Sequence, residues 1–105
     1  MARGGKKHEL TAFIYDKRGR VLSIGKNNYV KTHPMQKKYA SQVGEPHKVF
    51  LHAEIAAIIK CKDLSKAHRI EIFRYNNDGT PALAKPCPVC KSAIEAAGIK
   101  YVSHT

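Results

Sequence analysis

The chain has 105 residues, 43% of them hydrophobic and 26% charged, which is the material for one small packed core and unlike a disordered chain. Nineteen Lys and Arg against eight Asp and Glu leave a net charge of +11, which favours phosphorylated nucleotides, nucleic acid or acidic surfaces; solubility alone is the plainer reading. No run approaches the roughly 18 apolar residues of a membrane span, and no apolar stretch follows the basic start Met1–Lys7, so a cytoplasmic protein with no membrane partner is expected.

Residues 1–9 are polar and basic and read as a flexible arm, leaving 10–105 as a single domain. Leu10 to Tyr15 is rich in β-formers, stops at Asp16-Lys17-Arg18-Gly19, and is followed by the apolar run Val21 to Ile24: a hairpin signal. From Gly25 to about Val49 no apolar period is sustained, and a long surface loop is expected, with a short helix at Met35 to Val43 as the alternative. Leu51 to about Lys62 packs Ala53, Ile55, Ala56, Ala57, Ile58 and Ile59 into a stretch free of Gly and Pro, the mark of a buried helix. Ile70 to Tyr75 alternates as a strand and enters a turn at Asn76-Asn77-Asp78-Gly79. Pro88 suits a first helical turn, Ala93, Ile94, Ala96 and Ala97 continue the helix, and Gly98 stops it before a strand at Ile99 to Val102. The order β-β-α-β-α-β predicts an α/β domain with helices covering a small sheet, a helix between two parallel strands being its crossover unit.

Three cysteines are an odd count, and two of them form Cys87-Pro88-Val89-Cys90, which reads as metal binding rather than a disulfide framework. Two thiolates separated by two residues in a first helical turn can face one point, and thiolates suit zinc. His52, at the start of the other helix, supplies a third ligand if the two helix N-termini converge. Three protein ligands leave a tetrahedral zinc one open position, where water ionises near neutral pH. Glu54, two residues past His52, can take that water's proton and pass it on as a general acid–base.

His52-Ala53-Glu54 followed by Pro86-Cys87-Pro88-Val89-Cys90 resembles the H-x-E…P-C-x-x-C signature of the cytidine and deoxycytidylate deaminase superfamily. The resemblance implies a cytidine-deaminase-like three-layer fold with a mixed sheet, Zn2+ between two helix N-termini on His52, Cys87 and Cys90, and Glu54 as proton shuttle. It also implies that Asn27 of Gly25-Lys26-Asn27, with Asn28 as competitor, meets the substrate's sugar. The backbone N–H of Ala53 and the carbonyl of Pro86 would hold the base. A histidine at position 52 is similar to deoxycytidylate, nucleic-acid and tRNA-adenosine deaminases, whereas small cytidine deaminases usually place a cysteine there. Superfamily members usually carry a further strand and helix after the last element found here. The strand near Tyr101 is therefore expected to leave an open edge that a second copy covers, giving a homo-oligomer.

Plainer readings stand beside these. A C-x-x-C and a histidine also serve structural zinc knuckles, though these usually have a fourth protein ligand and no use for Glu54. Cys61, about two and a half turns from His52, reads as a packed small hydrophobe. His8, His33, His47, His68 and His104 lack partners at ligand spacing, although His33 and His47 lie in the loop leading to the metal. Tyr29 and Tyr75 read as packing rather than base stacking, and the lysines at 6–7 and 37–38 as solvated. Three functions remain open: a deaminase of a cytosine nucleotide, foremost deoxycytidine monophosphate; a deaminase of cytosine in single-stranded DNA or RNA, where the charge lines a phosphate track; and a non-catalytic zinc-stabilised nucleic-acid-binding module.

Overall fold

A computed structural model describes residues 9–28, 32–44, 51–76 and 78–105. The arm expected over 1–9, apart from Glu9, lies outside the described residues, as do Tyr29, His47 and Asn77. Among the described residues the elements run β1 (Leu10–Tyr15), β2 (Val21–Lys26), α1 (Pro34–Gln42), α2 (Ala53–Lys60), β3 (Arg69–Arg74), α3 (Pro88–Ala96) and β4 (Tyr101–His104), with a 3-10 turn at Leu64–Lys66.

The four strands form one mixed sheet in the order β2-β1-β3-β4. β1 pairs antiparallel with β2 and β3, while β3 and β4 are parallel and joined through α3, the crossover anticipated from the sequence. The hairpin forms because Asp16 closes its turn: Oδ1 accepts from the backbone N–H of Arg18 and of Arg20, each at 2.9 Å, and Gly19 takes the positive φ of 82° that the turn needs.

Alternation in β1 and β3 sends Ala12, Ile14, Ile70 and Ile72 to one face, where all four are fully buried with α2 and α3 residues in one core cluster. Each buried Ile contributes roughly 1.5–3 kcal/mol over exposure, so these two central strands anchor the domain. On the other face stand Thr11, Phe13, Tyr15, Glu71 and Phe73, only half-buried. Among the described residues no helix lies over that second face: α2 packs on β1, β2 and β3, and α1 on α3.

α2 is buried nearly all round, from Ala53 to Ile58, because it is wedged between the sheet and its neighbouring helices. Its alanines permit a very close approach by β2. A Cβ on Gly25 would meet the Ala57 nitrogen at 2.2 Å and the Ala53 carbonyl oxygen at 2.5 Å, so only glycine fits there. Ser23 ties the same two elements by donating its hydroxyl to the Ala57 carbonyl at 2.7 Å.

The long loop expected from 25 to 49 is shorter than that. β2 takes Gly25 and Lys26, and α1 realises the short helix weighed for that stretch. Pro34 occupies its first turn and His33 caps it, Nδ1 accepting from the Met35 N–H at 3.0 Å. The last strand lies two residues later than expected, at Tyr101–His104, because Ile99 is buried in the core cluster while closing the turn after Gly98.

Candidate metal centre

α2 and α3 begin at the same end of the sheet, the end where β2 and β3 finish, and each starts on a ligand-type residue. His52 is the N-cap of α2 and Cys87 the N-cap of α3. Neither uses its side chain to cap its own helix; the two side chains instead meet each other between the helices. Pro88 at the first position of α3 and Cys90 one turn in complete the thiolate pair, with Lys91 N–H closing the turn onto the Cys87 carbonyl at 2.8 Å.

His52 Nδ1 lies 3.1 Å from Cys90 Sγ and 3.5 Å from Cys87 Sγ. The three ligand atoms all fall within 4.8 Å of one another. Zinc bonds of about 2.0 Å to nitrogen and 2.3 Å to sulfur at tetrahedral angles require N···S separations of roughly 3.6 Å, so the donor set fits zinc in chemistry and closely in span. Among the described residues no fourth ligand joins these three soft-to-borderline donors, which is the pattern of an open, reactive site rather than a closed structural one.

The electrostatics of the cluster follow from burial and mutual hydrogen bonding. The Cys90 thiol holds Cys87 down at about 3, with His52 reinforcing the effect, while Cys90 itself is pushed well above the ordinary thiol range by Cys87 and by burial. Zinc binding requires both thiols as thiolates, so loading the site releases protons. Glu54 is 4% exposed, lies in the first turn of α2 and is in hydrogen-bonding contact with Cys90. Desolvation is the largest influence on it and raises its carboxyl above the usual range, against the lowering effects of its own backbone N–H and of His52.

The surroundings hold His52 in place. Gln36 of α1 is fully buried, and its Oε1 accepts the backbone N–H of His52 at 3.2 Å. This residue was missed in the sequence, where it fell in an expected loop; the His33-Pro34 cap signal followed by Met35, Tyr39 and Val43 at helical spacing is what could have found it. Gly25 was read only as part of a sugar-binding motif, yet it also seats β2 against the first turns of α2.

A family model described as the cytidine and deoxycytidylate deaminase zinc-binding region matches residues 1–105. The chain belongs to this family. No curated protein is matched. Family membership and the His52, Cys87, Cys90 cluster together make this a zinc-binding deaminase-type domain.

Other expected residues fall as follows. Asn27 follows β2, its Oδ1 accepting the Leu10 N–H at 3.0 Å, and the Asn28 N–H reaches the Leu51 carbonyl at 2.8 Å, beside His52. Ala53 is fully buried at the start of α2, and Pro86 is half-buried directly before Cys87. Cys61 ends α2 inside the core cluster, in keeping with its reading as a packed hydrophobe. His33 is engaged as a helix cap. No helix among the described residues is long and apolar enough to cross a membrane.

Proposed function

We propose that the protein is a hydrolase of a cyclic amidine C–N bond that converts a cytosine nucleotide, foremost deoxycytidine monophosphate, to its uracil product and ammonia. The observation that carries this reading is the buried Glu54 carboxyl, within one helical turn of His52 and in contact with Cys90. A structural zinc site has no use for an acid sealed beside its ligands, whereas proton transfer in a deaminase requires one. Zinc, when bound by His52, Cys87 and Cys90, supplies a water acidified to near-neutral pKa.

Glu54 then does the proton work. Its carboxylate would take a proton from the attacking water and deliver it to N3 of the base as the C4–O bond forms; it would then carry the second proton of that water to the 4-amino group, whose C–N bond breaks as the C4 carbonyl forms, releasing ammonia. Burial favours this role because a raised carboxyl holds its proton long enough to hand it on. The Ala53 N–H would donate to the ring carbonyl and the Pro86 carbonyl accept from the amine, while Asn27 meets the sugar. The charge of +11 supports a phosphate-bearing substrate. We further take residues 10–105 as one cytoplasmic domain that pairs as a homo-oligomer, with the edge strand β4 as the face for a second copy.

Zinc-loaded protein is incubated with deoxycytidine, its mono- and triphosphates, a cytosine-containing single-stranded oligonucleotide and adenine and guanine nucleotides, alongside Glu54→Ala. Ammonia release greatest from the monophosphate, and abolished in Glu54→Ala, is expected. Release from the oligonucleotide alone replaces the nucleotide by a polynucleotide substrate. No release from any substrate, with oligonucleotide binding unchanged in Glu54→Ala, leaves a zinc-stabilised binding module.

A further inference from the structure

The sheet face turned away from α2 and α3 carries a row of aromatic rings, Phe13, Tyr15 and Phe73 on its two central strands and Tyr75 directly after β3. Register places Phe13 opposite Glu71, Thr11 opposite Phe73 and Tyr15 opposite Arg69, so these side chains share one face. Phe13 meets Phe73 edge-to-face at 5.6 Å between ring centres. Phe73 and Tyr75 lie with parallel planes at 6.4 Å, and Phe13 and Tyr15 nearly parallel at 6.2 Å. Thr11, Phe13, Phe73 and Tyr75 line an open depression of about 350 Å³. Ile24, 45% exposed, stands beside Phe13 on β2.

The row is flanked by positive charge. Arg69 sits 4.3 Å from the centre of the Tyr15 ring, and exposed Lys26 stands opposite Thr11. Glu71, the acid among these facing residues, is engaged by the Tyr15 hydroxyl at 3.1 Å and by Arg69 at 3.4 Å. Where β1 ends and β3 begins, beyond Tyr15 and Arg69, lies a cleft of about 530 Å³ walled by Lys17, Arg18, Arg20, Lys66 and Lys100, with Asp16 as its carboxylate.

We propose that this open sheet face is a docking surface for single-stranded nucleic acid, whose bases stack on Phe13, Tyr15, Phe73 and Tyr75 while its phosphates run into the basic cleft at the Tyr15 end. Aromatic rings on the central strands of a four-stranded sheet, edged by cations, are the elements with which proteins hold unpaired bases. Charge selects this occupant over the others. A second copy docked face to face would set the same cations against one another. The surface is distinct from the zinc centre, which lies between the N-termini of α2 and α3 on the opposite face. The proposal therefore does not depend on the deaminase reading.

Binding of a fluorescein-labelled single-stranded oligothymidylate, which offers no cytosine, and of the matching oligouridylate is followed by anisotropy with zinc-loaded protein. Phe13→Leu and Phe73→Leu keep apolar cover and remove a ring. Each is expected to weaken binding about tenfold, while raising salt weakens the parent protein and both variants alike. Unchanged affinity in folded variants overturns the proposal, as does equal affinity for duplex of the same length. So does light scattering that gives a dimer dispersed by Phe73→Leu. Should either variant fail to fold, photocrosslinking of a bromodeoxyuridine-substituted oligonucleotide to the parent protein decides: crosslinks on the peptides bearing Phe13 and Phe73 support the surface, and crosslinks confined to the peptides bearing His52 and Cys87 sink it. Deamination of the nucleotide monophosphate by Phe73→Leu is assayed in parallel, so that a failure of the enzyme reading is seen separately.

Discussion

On the proposed reading Glu54 carries the protons, and its buried place beside Cys90 sets what a substitution does. Glu54→Gln keeps the shape and the hydrogen-bonding contact but cannot shuttle a proton, so turnover should fall about 10²- to 10⁴-fold while bound zinc stays stoichiometric, as read by metal analysis of the same samples. Loss of zinc in that variant would instead mark Glu54 as a structural support of the ligands. Gly25 acts through space rather than chemistry. A methyl group there has backbone atoms of α2 nearer than 3.0 Å on three sides, so Gly25→Ala should cost about 2 kcal/mol in denaturant unfolding and disturb the turn that carries His52. A Gly25→Ala protein as stable as the parent would mean that β2 slides freely on α2. Glu54 and the three ligands were legible in the sequence because their spacing is itself a chemical pattern. Gln36 and the packing role of Gly25 were not, since both depend on which backbone lies opposite.

At the scale of elements, the β1–β2 turn is held by one carboxylate. Backbone hydrogen bonds from Arg20 and Arg18, aided by the Arg20 side chain at 2.9 Å, hold Asp16 below the usual carboxylate range. A depressed folded pKa means that the unfolded chain binds the proton more readily, so this contribution is present above the unfolded value and fades as pH falls through the folded one. The difference in melting temperature between the parent and Asp16→Asn should therefore shrink as pH is lowered from 6 towards 3. A constant gap would show that the hydrogen bonds alone matter. The strands and helices α2 and α3 were readable because each is consistent in propensity, period and punctuation. α1 was harder to read because its stripe is short and its buried surface includes a glutamine, which sequence patterns score as polar.

For the whole molecule, zinc held by His52, Cys87 and Cys90 would join two helices that otherwise meet through side-chain packing and the contacts of His52 with the two cysteines. A ligand that binds the folded state alone raises stability by mass action, and for a domain of this size saturating zinc should lift the melting temperature by on the order of 10 °C or more over chelator-treated protein. Cys90→Ser should erase most of that gain. Equal melting with zinc and with chelator would remove the metal from the folding equilibrium altogether. The charge of +11 acts at longer range. If it steers an anionic substrate, KM for a nucleotide monophosphate should climb between 50 and 300 mM salt while KM for the uncharged nucleoside stays level. Parallel salt dependence for both would remove steering from the account.

The sequence by itself pointed to the candidate ligands His52, Cys87 and Cys90, to the acid Glu54 two residues past the first of them, to most of the element types and to the excess of positive charge, because each of these is local or summed along the chain. Only the tertiary structure decided that His52, Cys87 and Cys90 converge, that Gln36 holds the His52 backbone, and that Phe13, Tyr15, Phe73 and Tyr75 form one uncovered row. Convergence and exposure depend on the register between strands and on which faces the helices cover, and neither is written in the order of residues along any one segment.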